Sequence, residues 1–284
     1  MWKLMGIPWV FTARRREHAA SWIILWAALA SMAPLGPALG QAPELQHRSL
    51  LPGLDWIQWL HKDAPQISIL RVDPGLYRFR VMHFRSEGAT QPLTLAEWMD
   101  RSQALAVFNA GQYYPDFSYM GLLVSGGRRI RPNLHRLFQA LFLAEPLEKG
   151  LPMARILDLA EEEFQAERPG YLEVAQSFML LDRWKGIRVR RTPNMAARTV
   201  LAEEEGGNLL VLLTQGPYTL WELAEELRNG PFPILRAMCM DGGEEAQLGV
   251  RTRDFTFPAP SGPGQQGAVY YRALPTVIAI FPRD

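Results

Sequence analysis

The stretch from Leu209 to Asp241 constrains the fold of this chain more than any other part of the sequence. It begins with an unbroken apolar run (LLVLLT), continues through a helix start at Thr219 and ends in a second apolar run (AMCM). Thr219 and Glu222 have the spacing of a capping box, and Gly230 is a typical helix stop. The sequence therefore predicts strand, helix, strand. A crossover of that length would make the two strands parallel neighbours, and ligands commonly bind at the carboxyl ends of such strands.

The second run ends at Asp241, which precedes Gly242, Gly243 and Glu244. Two glycines after an acid let the backbone turn sharply and approach a ligand closely, which makes this strand end a candidate functional site. Asp-Gly-Gly is also an ordinary turn, and these residues alone do not decide between the two. Cys239, the single cysteine, lies inside the apolar run, so we predict a buried thiol and no disulfide. The five scattered histidines lack ligand spacing, so no metal site is predicted.

A second candidate site follows the buried strand predicted at 104–108 (ALAVF). That strand ends in Asn109, an alanine, Gly111, Gln112 and Tyr113. Aromatic rings can stack on sugar rings, and amides can bond to sugar hydroxyls, so the junction suits sugar recognition. The same residues also suit a plain turn, and both interpretations stay open.

The remaining patterns predict one domain built from strands and helices. Thr94 and Glu97 form a second capping box, and an apolar stripe from Asn133 to about Glu167 predicts a further helix. Strands are predicted at 53–60, 67–73, 77–82, 171–181, 197–202 and 275–281. With 284 residues, 48% of them hydrophobic, the chain can bury one sizeable core. The predicted fold class is α+β, a single domain at 53–284 with a mixed β-sheet core flanked by helices.

The first 40 residues have the layout of a secretory signal peptide. Three arginines at 14–16 precede an apolar run, and small residues stand just before Gln41. The run is shorter than the roughly 20 residues needed to span a bilayer, which favours removal over anchoring. We therefore predict an exported bacterial protein, periplasmic or secreted, without stable membrane insertion, in which residues 41–52 form a linker.

The charge of the chain does not indicate a nucleic-acid partner. The net charge is only +1, and several of the basic residues lie in the predicted signal peptide. Two local basic clusters, RRIR at 128–131 and RVRR at 188–191, lack interleaved aromatic residues. They predict either a solvated strand edge or loop, or a contact with phosphate or an anionic polymer.

Four short motifs stand in order along the chain, and a final strand follows them. They are VFNAGQYY (107–114), ART (197–199), TLWELA (219–224) and MDGG (240–243). Together they resemble the phosphodiester glycosidase family, which includes the mannose 6-phosphate uncovering enzyme and exported bacterial proteins often labelled for exopolysaccharide biosynthesis. That family typically has NGGYF, RT, a threonine-leucine helix start and DGG at these places. The chain departs from it in the EEAQ that follows MDGG and in the enlarged segment at Gln112 and Tyr113.

The resemblance implies an exported hydrolase that cleaves the glycosidic bond of a sugar-1-phosphate diester, releasing free sugar and a phosphomonoester. Its partner would be a phosphorylated carbohydrate or polysaccharide, and no cofactor is expected. Such chemistry needs a carboxylate at the anomeric carbon and a cation or amide donors for the phosphate. The implied catalytic residues are Asp241 as the carboxylate, Arg198 as the phosphate clamp and Asn109. The implied substrate-binding residues are Gly111, Gln112, Tyr113, Thr199, Gly242, Gly243 and Glu244.

Two other functions stay open on the sequence. The chain could be a non-catalytic binder of an envelope polysaccharide, in which replacement of the family pattern by Glu244 and Glu245 has removed the chemistry. It could also be a conventional glycoside hydrolase, whose activity would not depend on Arg198.

Overall fold

The structure of the protein is a computed structural model that describes residues 44–258 and 272–283. This part of the chain contains two α-helices, α1 (Leu95–Ser102) and α2 (Leu220–Asn229), and sixteen strands. The strands are β1 (Glu44–Leu51), β2 (Leu54–Leu60), β3 (Ile67–Val72), β4 (Tyr77–His83), β5 (Ala106–Asn109), β6 (Leu123–Ser125), β7 (Arg128–Arg131), β8 (Ala140–Pro146), β9 (Ala154–Asp158), β10 (Tyr171–Leu181), β11 (Arg198–Glu204), β12 (Leu209–Thr214), β13 (Ile234–Gly242), β14 (Leu248–Arg251), β15 (Thr256–Phe257) and β16 (Thr276–Pro282). The predicted signal peptide lies outside the described residues.

The strands form two antiparallel sheets. The larger sheet has the order β1-β2-β3-β12-β11-β13-β10-β6-β7, with β8 paired to β10 and β9 paired to β8. The smaller sheet has the order β15-β14-β5-β16-β4. Strand β1 lies within the range predicted as a linker, where it pairs along its length with β2.

The predicted fold class, α+β with a mixed sheet flanked by helices, is wrong. The fold is mainly β, with 46% strand and 9% helix, and its large sheet is a curled antiparallel one. Strands β12 and β13 run parallel to each other as predicted, but they are not neighbours. Strand β11 lies between them and pairs antiparallel with both, so the crossover through α2 spans one intervening strand.

The helix predicted from Asn133 to about Glu167 is also wrong, because β8 and β9 occupy that range. Ile156 and Leu157 are adjacent in sequence and both are buried. Ile156 belongs to the core between the sheets, whereas Leu157 belongs to a separate cluster on the opposite face of the large sheet. A strand that is covered on both faces loses its alternation, so its apolar pattern is easily mistaken for a helical stripe.

One core fills the space between the two sheets. Leu70, Met238 and Leu201 of the large sheet face Phe108 and Ile278 of the small sheet there. All five side chains are fully buried. The inner face of each sheet therefore stabilises the other by removing apolar surface from water.

Each helix covers the outer face of one sheet. Leu223 and Leu227 of α2 pack in one buried cluster with Trp59 of the large sheet, and Trp98 of α1 packs with Val277 of the small sheet. Both predicted capping boxes are confirmed, at Thr94 with Glu97 and at Thr219 with Glu222.

Two glutamates of the large sheet cover the edge strand β4 of the small sheet. The backbone N–H of Phe79 donates to Glu145 at 3.1 Å, and that of Val81 donates to Glu173 at 2.8 Å. An open sheet edge exposes unpaired amides, and these carboxylates satisfy two of them. The two sheets are thus joined by hydrogen bonds as well as by their shared core.

Candidate active site

The two strand ends that the sequence marked as candidate sites, at Asn109 and Asp241, lie together where β5 and β13 end. The backbone N–H of Asp241 donates to the carbonyl oxygen of Ala110 at 3.1 Å. The side-chain amide of Asn109 donates to the carbonyl oxygen of Asp241 at 2.9 Å. Because β5 belongs to the small sheet and β13 to the large one, the junction joins the carboxyl ends of strands from both sheets.

Asn109 holds this junction together. Its side chain also accepts a hydrogen bond from the backbone N–H of Gln247, at 3.0 Å, and the residue is only 1% exposed. Both the amide oxygen and the amide nitrogen are therefore engaged with backbone groups. The Asn109 side chain thus links the backbone of Asp241 to that of Gln247.

The carboxyl group of Asp241 is partly exposed, and Oδ1 accepts the backbone N–H of Gly242 at 2.9 Å. Loss of hydration raises the pKa of Asp241 to about 6, and the negative charge of Glu245 acts in the same direction. The Gly242 hydrogen bond and the charges of Arg272 and Arg198 act in the opposite direction. Asp241 is therefore mainly ionised at pH 7, with a proton affinity close to the range that suits a general base.

Arg198 begins β11 and lies directly across the ladder from Gly242. Its Nε donates to the carbonyl oxygen of Tyr218 at 3.0 Å, and its Nη2 donates to that of Asn194 at 2.7 Å. Within the described residues, Nη1 has no hydrogen-bond acceptor. Two fixed bonds thus orient the guanidinium group and leave one nitrogen for a ligand.

Gly242 is tightly enclosed, because a Cβ there would lie 3.0 Å from Nη1 of Arg198 and 3.0 Å from the carbonyl oxygen of Ala197. Gly243 adopts a positive φ of 74°, a conformation that side-chain-bearing residues rarely adopt. Its N–H donates to the Ala197 carbonyl oxygen at 2.9 Å. The two glycines therefore bring the chain after Asp241 against the start of β11.

The loop after Asn109 places Tyr113 beside the residues that follow Asp241. The Tyr113 hydroxyl donates to Glu245 at 2.9 Å, and Nε of Arg272 lies 3.0 Å from the same carboxylate oxygen. Burial, and then the bond to Glu245, raise the pKa of Tyr113 to about 12. Tyr113 is thus a neutral hydroxyl at pH 7. Glu244 is more exposed, at 72% of its side chain, and lies 3.4 Å from Arg272.

Three other predicted substrate-binding residues are Gln112, Gly111 and Thr199. Gln112 donates to the carbonyl oxygen of Met240 at 3.2 Å. Gly111 is buried, and a Cβ on it would lie 2.6 Å from the Tyr119 hydroxyl. Thr199 is 0% exposed, and its hydroxyl has no partner among the described residues. Gly111 and Thr199 are therefore enclosed by protein, whereas Gln112 is partly exposed.

Two charged residues of the site were missed or undervalued by sequence reasoning. Glu245, rather than Glu244, is the partner of Tyr113 and the negative charge that acts on Asp241. Arg272 follows a segment rich in Gly, Pro and Gln, and no local pattern pointed to it. Only the tertiary fold brings it to the glutamates.

The described residues contain no group of three or more His, Cys, Asp or Glu side chains placed to hold a metal ion. In residues 44–258 and 272–283, no helix is long and apolar enough to cross a bilayer.

No protein-family profile matches this chain, and no curated protein matches it in sequence. Solved structures, however, share its fold. The catalytic domain of zebrafish N-acetylglucosamine-1-phosphodiester alpha-N-acetylglucosaminidase, auto-inhibited by its pro-peptide, matches with a TM-score of 0.56 and 14% identity, over 84% of this chain and 82% of that one. A hypothetical protein from Synechocystis matches with a TM-score of 0.57 and 13% identity, over 86% of this chain and 64% of that one. The chain therefore shares its fold with the catalytic domain of a phosphodiester glycosidase.

Proposed function

We propose that the chain is an exported hydrolase that cleaves the glycosidic bond of a sugar-1-phosphate diester, with Asp241 as the catalytic carboxylate. The observation that carries the proposal is the strand junction. Asp241, a partly exposed carboxyl group with a pKa raised to about 6, directly precedes Gly242. Gly242 lies across the ladder from Arg198, whose Nη1 has no hydrogen-bond acceptor among the described residues. The fold shared with a phosphodiester glycosidase supports the same reaction class.

In the proposed reaction the bond between the anomeric carbon and the phosphate oxygen breaks. The bonding electrons leave with the phosphomonoester, and a water oxygen becomes the new hydroxyl of the free sugar. Asp241 acts at the anomeric carbon, either by taking the proton of that water or as a nucleophile whose ester is then hydrolysed. A phosphomonoester is a good leaving group, so neutralising its charge matters more than protonating it.

Arg198 supplies that neutralisation. Its guanidinium is held by the carbonyl oxygens of Tyr218 and Asn194, so little side-chain entropy is lost when a phosphate oxygen binds Nη1. A fixed cation that meets developing negative charge stabilises the transition state more than the ground state. Gly242 allows this approach because it has no Cβ.

The reaction is tested by incubating the purified protein with a panel of sugar-1-phosphate diesters and measuring free sugar and phosphomonoester together. We expect equal release of both products by the wild type, and a release slower by about 10²-fold or more in Asp241→Asn. Full turnover by a correctly folded Asp241→Asn protein would refute the assignment.

Arg198 is tested by Arg198→Gln, with Arg48→Gln as the matched control. Arg48 also donates to a backbone carbonyl, that of Asp254 at 2.8 Å, but it is not among the residues of the strand junction. We expect Arg198→Gln to lower kcat/KM for a sugar phosphodiester on the order of 100-fold and the control to leave it unchanged. Turnover of an unphosphorylated aryl glycoside that Arg198→Gln leaves unchanged would instead indicate a conventional glycoside hydrolase.

A second candidate function is non-catalytic binding of an envelope polysaccharide. The observation that favours it is the pairing of Arg272 with Glu244 and Glu245, which occupies a cation that could otherwise bind phosphate. Measurable affinity for a glycan, together with no product from any diester, would support this alternative.

A further inference from the structure

A second cluster of charge lies outside the Asp241 junction, at the hairpin of β6 and β7. Arg128, Arg129 and Arg131 of β7, together with Arg85, line a cavity of about 330 Å³. His83 and Ser118 also line it. We call this cavity the basic pocket.

The guanidinium groups of the basic pocket are not neutralised by carboxylates. Among the described residues, none of the four arginines has a carboxylate oxygen within 4.0 Å, whereas ten other arginines of this part of the chain do. Arg85 is close enough to Asp116 to lower its pKa, but that carboxylate accepts hydrogen bonds from Ser118 at 2.7 and 3.0 Å. The pocket therefore keeps a strong positive charge, which favours an anionic ligand.

Two of the arginines are oriented by neighbouring aromatic rings. The guanidinium of Arg85 lies 5.0 Å from the ring centre of Phe84, and that of Arg131 lies 5.8 Å from the ring centre of Tyr114. Nη2 of Arg85 also donates to the carbonyl oxygen of Asp116 at 3.0 Å. Oriented guanidinium groups can bind carboxylate or phosphate with two parallel hydrogen bonds at a lower entropy cost.

The floor of the pocket is neutral and polar. His83 is 3% exposed, Nδ1 accepts the backbone N–H of Arg85 at 3.3 Å, and Nε2 lies 3.2 Å from the carbonyl oxygen of Phe117. Burial and the charge of Arg85 hold the pKa of His83 below its ordinary value. The positive charge of the pocket therefore comes from arginine, which stays charged at all physiological pH values.

The basic pocket and the Asp241 junction are connected through one hairpin. Tyr113, which bonds to Glu245, forms a backbone bridge with Tyr119, and Tyr119 lines the basic pocket. Phe117, at the turn between them, is 37% exposed, and its ring centre lies 6.1 Å from that of Tyr113. An exposed ring beside a charged pocket offers a stacking surface for a sugar ring.

We propose that the basic pocket binds an anionic group, carboxylate or phosphate, carried by a polysaccharide chain. The cavity has room for about one charged sugar residue, at the small end of the range for ligand pockets. A net charge of +1 for the whole chain argues against nucleic acid, whose binding proteins are usually strongly basic. The proposal does not depend on the reaction assigned to Asp241, because binding is measured without turnover.

The test compares two triple variants that each remove three positive charges. The pocket variant is Arg128→Gln/Arg129→Gln/Arg131→Gln. The control is Arg168→Gln/Arg183→Gln/Arg253→Gln, three exposed arginines that have no carboxylate partner among the described residues. Arg183 lies 4.7 Å from the ring centre of Trp184, so the control also removes one stacked guanidinium.

Binding is measured by calorimetry with four probes: a uronic-acid oligosaccharide, a phosphorylated oligosaccharide, neutral dextran and a DNA duplex. We expect the wild type to bind one or both anionic oligosaccharides and not dextran. The pocket variant should lose at least about ten-fold in affinity, and the control should stay within about two-fold. The anionic oligosaccharide that binds more tightly shows whether the basic pocket prefers carboxylate or phosphate.

Equal losses in both triple variants, no binding of either anionic oligosaccharide, or tighter binding of DNA would each overturn the proposal. Arg85→Gln provides an independent variant on a different strand end, and it should also weaken binding. Unchanged hydrolysis of a small sugar phosphodiester by the pocket variant would show that the basic pocket and the Asp241 junction act separately.

Discussion

Asp241 and Glu173 are two carboxyl groups with a raised pKa, about 6 for Asp241 and about 7 for Glu173, and burial is the largest cause in both. Their hydrogen bonds differ. The two oxygens of Glu173 accept the backbone N–H groups of Val81 and Gly126, at 2.8 and 2.9 Å. Glu173 is 4% exposed and joins one sheet to the other.

In the part of the chain that the structure describes, Asp241 has one such donor, the N–H of the next residue, and it is partly exposed beside two arginines. A raised pKa thus identifies a carboxyl group that has lost water, whatever its role. Free hydrogen-bonding capacity and access from solvent distinguish the group that can act on a substrate.

The largest expected difference between the two groups is in catalysis. Asp241→Asn should lower kcat toward a sugar phosphodiester by about 10²- to 10⁴-fold, the range typical for loss of a general base. Glu173→Gln makes the same change of carboxyl to amide, and kcat of its folded fraction should stay within about three-fold of the wild type. Both are measured by product release, with the folded fraction determined by circular dichroism. Comparable losses of kcat in the two variants would mean that Asp241 has no special role in catalysis.

The next difference is in stability. Glu173→Ala leaves the N–H groups of Val81 and Gly126 without their acceptor, so we expect a loss of about 2–5 kcal/mol in the free energy of unfolding. Asp241→Ala should lose much less, because among the described residues that carboxylate has one donor, the N–H of Gly242 at the partly exposed end of β13. Urea denaturation of both variants measures this. A smaller loss for Glu173→Ala than for Asp241→Ala would show that the carboxylate at the sheet edge is not structural.

The features that sequence reasoning predicted correctly are local ones. The two capping boxes depend on residues three apart, and the structure confirms both. The junctions at Asn109 and Asp241 were each predicted as strand ends. Residues on one strand, however, do not specify which other strand lies beside it, so the sheet order and the antiparallel pairing of β11 with β12 and β13 were missed.

The same limit applies within the candidate site. Asn109 was predicted as a catalytic residue from its place at a strand end, and only the fold shows that its side chain bonds to the backbone of Asp241 and Gln247. No sequence pattern around Arg272 indicated a place in the site, because Arg272 reaches it only through its ion pair with Glu245, which is distant in sequence. Sequence patterns thus identify which residues are chemically capable, whereas the fold determines which of them are free to act.

The pH dependence of stability tests the raised pKa of Asp241 directly. A carboxyl group whose pKa is raised by folding contributes stability that is fully present below its unfolded pKa and is lost as pH rises through its folded pKa. For Asp241 these values are 3.8 and about 6. An asparagine at 241 does not titrate, so the stability of Asp241→Asn does not fall over this range. Its free energy of unfolding should equal that of the wild type near pH 3.5 and exceed it by about 1–3 kcal/mol above pH 7. Thermal melts of both proteins across this range measure the difference, and a constant difference at all pH values would contradict the raised pKa.

The smallest expected effect concerns Glu245, whose charge raises the pKa of Asp241. Glu245→Gln removes that charge and frees Arg272, which lowers the pKa of Asp241, so both changes act in the same direction. The acidic limb of kcat/KM, which reports the base of the free enzyme, should shift from near pH 6 to lower pH by less than about one unit. Tyr113→Phe is the control, because it removes the hydroxyl partner of Glu245 and leaves the charge in place. A shift to higher pH in Glu245→Gln, or none, would mean that the titrating base is not Asp241.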